Sequence, residues 1–299
     1  MFFVVALCLL FVEVINMKHC AWYLSALLLI APMYELQATE KLPAGLIEAQ
    51  QTCFGQTVSV AKYSPVPAGW VITNEFHNSW TLMCVAGATF NQTVSVIVSS
   101  PIPTGWIITR ENPRVLTYAV GAPTFHTFRV STNSPIPEGW VLTQGGPSER
   151  IISNANGASY GNSLRVIIGS PIPDGWVILN NSGSFNNIEF LTGAPTGATR
   201  RVLNGSPMPA GWVITSLAGS FRNIQNTNGY GYRHTMNVTI GSPIPNDWVL
   251  TNVIGSTRTI MNLAGARRGD EQTIYLGSPI PNGWVVVQTN GNFRRIRYL

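Results

Sequence analysis

Ten residues past a recurring tryptophan the sequence places Arg150, Arg222, Arg258 and Arg294, with Asn186 in the same slot of another copy. Four residues further on stand Asn154, Asn226 and Asn262. Repeated at one position, fork-shaped guanidiniums and amides would form rows of donors suited to sugar hydroxyls, carboxylates or sulfates, and repetition multiplies weak contacts into avidity. The plainer reading has the same side chains solvating a strand and blunting its edge. Tyr160, Tyr230 and Tyr232, near glycine-rich loops, have rings able to stack on sugars.

Little else in the chain carries chemistry. His77, His126 and His234 fall at unrelated places in their repeats, and Asp174 and Asp247 lie in proline turns where aspartate is a good turn residue. No nucleophile elbow, phosphate-binding loop or zinc-protease pattern is present. The sequence therefore predicts no catalytic residue, no cofactor and no metal site.

What must position these side chains is a motif, Ser-Pro-Ile-Pro-x-Gly-Trp-Val-Ile-Thr, that begins at Ser64, Ser100, Ser134, Ser170, Ser206, Ser242 and Ser278. Successive copies are 36 residues apart, with a single interval of 34. A fixed period of this size marks an array whose units cannot bury their apolar faces alone. Each copy carries one tryptophan, Trp70, Trp106, Trp140, Trp176, Trp212, Trp248 or Trp284. An aromatic placed once per unit is expected to wedge between neighbours as structural core.

The two prolines fix φ and remove donors, so this piece reads as a stiff connector, and the following Gly as a turn residue with positive φ. Asp247 replaces that Gly in one copy and tolerates the same conformation. Around each anchor three strands can be placed: an alternating one before it, the apolar Trp-Val-Ile-Thr run, and a third with Ile152, Ile188, Ile224, Ile260 or Ile296 twelve residues past Trp. Leu82 and Tyr118 fill that position in the other two copies. The expected fold is all-β, seven three-stranded meanders with the apolar second strand in the middle. They form a seven-bladed propeller-like array, or alternatively a linear β-solenoid.

Residues 1–38 have the basic and apolar composition of a secretory leader, with Met17 as an internal start, and no stable membrane span is expected after its removal. Residues 39–56 read as a degenerate N-terminal cap in which Pro43-Ala44-Gly45-Leu46-Ile47 echoes Pro67-Ala68-Gly69-Trp70-Val71. Residues 57–299 form the single repeat domain. Past the leader only Cys53 and Cys84 remain, and in an oxidising compartment they predict a disulfide. Read as rough equivalents in adjacent units, they favour stacked rungs over a closed ring.

The net charge is +5, and the excess gathers from Ser170 onward, where ten arginines face five acidic residues. That balance suits an anionic surface better than nucleic acid, which is not predicted as a partner. The composite expectation is a secreted or periplasmic, lectin- or adhesin-like module that binds a glycan or polyanionic surface polymer at several equivalent places. A matrix or cell-surface scaffold, with oligomers allowed, is the second reading, and a hydrolase with a central pocket the third.

Overall fold

The structure, a computed structural model, describes residues 53–299; the predicted leader and most of the predicted cap lie outside the described residues. Among the described residues twenty-one strands are grouped into seven antiparallel sheets of three. The fifth unit is representative, with strands Thr199–Leu203, Trp212–Ala218 and Phe221–Asn226. Among the described residues no helix is long and apolar enough to cross a membrane.

In every sheet the third strand lies in the centre, with the first and second on either side of it. This corrects the expectation that the Trp-Val-Ile-Thr strand is the middle one. The proline connector explains the order. Having few donors and an extended backbone, it cannot pair as a neighbouring strand, and at about 3.3 Å per residue it can carry the chain back along the first strand. The second strand therefore starts on the far side of the slot that the third will fill. Each connector ends in a β-turn in which the Trp N–H donates to the carbonyl of the second proline, 3.1–3.2 Å away. The residue before Trp has positive φ in each case, as at Gly175 (81°) and at the exceptional Asp247 (62°), which is the type II geometry. At Gly175 a Cβ would also lie 2.6 Å from the Phe190 ring, so the turn and the packing both require glycine there.

Successive sheets stack face to face. Trp212 packs among Val177 and Leu191 of the fourth unit and Val202, Ile214 and Ile224 of its own. Trp106, Trp140, Trp176, Trp248 and Trp284 repeat the arrangement on Val71, Ile107, Val141, Val213 and Val249. The tryptophans are thus wedges between neighbours. A polar clasp accompanies each wedge. The N–H two residues past Trp donates to the serine hydroxyl that opens the next unit's motif, from Ile72 to Ser100 at 2.9 Å through Leu250 to Ser278 at 2.8 Å. That hydroxyl in turn donates to the carbonyl of the proline following it, as at Ser134. Ser-Pro recurs because one side chain satisfies a buried donor of the preceding sheet.

Each sheet meets only its neighbours in sequence, and among the described residues no strand of the seventh sheet meets the first. Among the described residues no ring is closed, an arrangement consistent with the propeller-like array and with the linear alternative alike.

Cys53 and Cys84 form a disulfide with their Cα atoms 5.7 Å apart. Cys84 lies opposite Trp70 on the central strand of the first sheet, and Cys53 in the turn that leads into that sheet. Both cysteines therefore belong to the first unit and not to adjacent ones, so the bridge carries no information on ring closure.

Carboxylates buttress two places in the stack. Glu111 of the second unit accepts from the Ser131 hydroxyl of the third and from Arg114, and its pKa is lowered chiefly by the Ser131 bond. At the last sheet, Arg297 lowers that of Glu271. A folded-state pKa below the unfolded value near 4.3 contributes stability that is complete above that value and lost as pH falls through the folded pKa. Urea midpoints should hold steady from neutral pH to about 5 and decline below about 4, with a shallower decline in Glu111→Gln. An acid decline of the same steepness in that variant would remove Glu111 from the account.

Candidate functional site

The predicted amide row is buried. Asn154, Asn226 and Asn262 are 4%, 1% and 3% exposed. Each donates from its side chain to two backbone carbonyls of the turn before its own sheet: Asn154 to Ala122 and Pro123, Asn226 to Ala194 and Pro195, and Asn262 to Tyr230 and Gly231. The side-chain oxygens accept from backbone N–H groups two residues on. These amides clamp the chain to itself, and Asn226 also lines one of the grooves described below.

The arginines belong to the same interior face. Arg150 and Arg222 donate to the carbonyls of Ser134 and Ser206, bracing the connector of their own unit, and burial pulls the Arg222 pKa down from the usual arginine range. The Nε atoms of Arg150, Arg222 and Arg258 are buried without a partner. Arg294 is half-buried and Asn186 is buried at the equivalent place. A cation that sequence reasoning missed is Arg114, which donates to the Val98 carbonyl in the second unit. It stands eight residues past Trp106 because this unit's hairpin is two residues shorter. For the same reason Leu116, which pairs with Ile108, takes the place expected for Tyr118.

The aromatic candidates are also occupied. Tyr230 stacks on His234 at 3.7 Å between ring centroids, and its hydroxyl accepts from Gln225. Arg200 lies over the Tyr160 ring and bonds Glu189 of the preceding sheet. His126 packs edge-on against Phe90 and Phe128.

A pocket of about 500 Å³ is lined by Asn186 with Asn181 and Asn204, and one of about 180 Å³ by Arg150 with Arg129. Further open space lies between the proline turns of successive units. A groove of about 460 Å³ separates Glu138-Gly139-Trp140 from Pro171-Ile172-Pro173. The next, about 580 Å³, separates Asp174-Gly175-Trp176 from Pro207-Met208-Pro209. A smaller one of about 310 Å³ lies between Asp247-Trp248 and Pro279-Ile280-Pro281. Asp174 lines both larger grooves, so its turn is their common wall. Each groove combines tryptophan and proline surface with a carboxylate, and the two larger ones add the Asn156 and Asn228 amides. No lysine or arginine lines any of the three. Such walls offer apolar proline surface and acceptors to a hydroxyl-bearing ligand and give no counter-charge to an anion, while the tryptophan rings stay buried beneath them. Glu138 and Asp174 stand at the variable position between Pro and Gly, to which the motif's own period could have pointed. Among the described residues no cluster of metal-ligating side chains occurs.

No family model, no curated protein and no solved structure matches this chain.

Proposed function

We propose that the protein is a secreted multivalent binding module and that its ligand is a carbohydrate chain lying across the grooves between proline turns. The observation that carries the reading is the shared wall at Asp174, which lets one extended ligand engage two adjacent grooves of like construction. Linked weak sites of this kind gain apparent affinity through effective concentration. The absence of cationic lining favours neutral, hydroxyl-rich polymers over sulfated or phosphorylated ones.

The test is glycan-array and heparin-column binding by three proteins: the parent, Asp174→Ala, and Arg150→Ala combined with Arg222→Ala. Asp174→Ala should weaken glycan binding about tenfold or more, because loss of one shared wall impairs two linked sites. The arginine pair should leave it unchanged while lowering stability by about 1–3 kcal/mol through the uncovered serine carbonyls. Retention on heparin that disappears in the folded arginine variant, with glycan binding indifferent to Asp174, would reject this assignment.

A further inference from the structure

The seventh sheet presents a face that every other sheet covers. At the internal junctions the residue after Trp is fully buried, as Val249 is at 0%, and Leu263 beyond the third strand is 2% exposed. Their counterparts Val285 and Leu299 are 37% and 66% exposed. Val286, the counterpart of the Ser278-bound Leu250, is exposed as well.

The opposite half of the same junction stands at the first sheet. Trp70 is only half-buried, whereas the other six tryptophans are buried, and Ser64 is half-buried, whereas its six counterparts are buried. Val60 is half-buried where Val130, Val166 and Val202 are fully so, and Val58 is exposed. Among the described residues two half-junctions thus stand without a partner sheet, one on the first sheet and one on the seventh.

We propose that these two faces are halves of one interface, so that the seventh sheet of one copy docks on the first sheet of a second copy and extends the array head to tail. Such a contact would continue an interface that the chain already builds six times. The wedge for Val285 is the second copy's Trp70, and the acceptor for the Val286 N–H is its Ser64 hydroxyl. A contact between two different faces does not close on itself, so it propagates into chains. One feature of the seventh sheet weakens the junction relative to the internal ones. Arg295 and Arg297, both ion-paired to Glu271, take the places of Thr259 and Met261 on the covering face. Setting guanidiniums against an apolar partner costs desolvation, which makes the association reversible and concentration-dependent. The proposal does not depend on the carbohydrate reading, although each new junction would add one groove of the same construction.

Sedimentation velocity of the purified full chain across a hundredfold concentration range tests it, with Val285→Glu disabling one face and Val58→Lys the other. Both positions are exposed, and circular dichroism and melting confirm that each variant is folded. The parent should form a ladder of species, and each variant alone should show at least a tenfold loss of association. An equimolar mixture of the two should stop at a heterodimer, because one intact face of each kind remains. A parent that stays monomeric throughout, a ladder unchanged in either folded variant, or variants that fail to pair when mixed would each overturn the proposal.

Discussion

Trp212→Ala is expected to destabilise the protein by about 3–5 kcal/mol and to split its denaturant unfolding into two transitions. Trp212 is 2% exposed, and its ring is shared by the fourth and fifth units, so truncation opens a cavity inside the interface on which both depend. In a stack where every sheet touches only its neighbours, stability is close to a sum of unit and interface contributions. Weakening one interior interface therefore uncouples the units before it from those after it. Trp70 supplies the control, because no described sheet precedes it and it is only half-buried. Trp70→Ala should cost about 1–2 kcal/mol, by its smaller loss of buried area, and leave a single transition. Equal penalties for the two variants, read from urea or guanidinium midpoints, would mean that the tryptophans act within their own units and do not join neighbours.

The architecture was legible where the residue type dictates the backbone. The turn at each Pro-x-Gly-Trp, the tolerance of Asp247 and the three strands per unit follow from φ restrictions and alternation, and the structure has them all. Sheet order was not legible. Alternation tells which face a strand buries and not which strand sits between the others; the one clue is that a double-proline connector cannot be a hairpin. The arginine and asparagine rows turn inward for a reason the sequence did contain. Arg150, Ile152 and Asn154 share parity on one strand, so once Ile152 is assigned to the core its two flanking partners point the same way. Recurrence at a fixed position in a repeat is produced as readily by a structural duty repeated seven times as by a binding site. The grooves were not legible because their walls come from different units, and the recurring Pro, Gly and Trp that line them read first as turn and core.

Removing the disulfide is expected to cost about 3–4 kcal/mol, because the bridge closes a segment of 31 residues whose ends the unfolded chain must otherwise bring together. Cys53→Ala with Cys84→Ala should show this as a lower denaturation midpoint, and the parent protein should show the same shift under reductant. The structure also predicts what substitutes for the bridge. Cys84 occupies the place of Asn154, Asn226 and Asn262, and Cys53 that of Pro123, Pro195 and Gly231, with the same separation of 31 residues in each pair. The first unit is thus held by a covalent bond where three others use a buried amide. Cys53→Pro with Cys84→Asn should accordingly recover about 1–2 kcal/mol relative to the double alanine variant, the worth of one or two satisfied buried hydrogen bonds. It should not recover the whole, since an amide clamp leaves the unfolded chain unconstrained. Full recovery would locate the bridge's effect in the folded state. No recovery would mean that the first unit, which lacks a described sheet ahead of it, cannot hold its leading turn without a covalent tie.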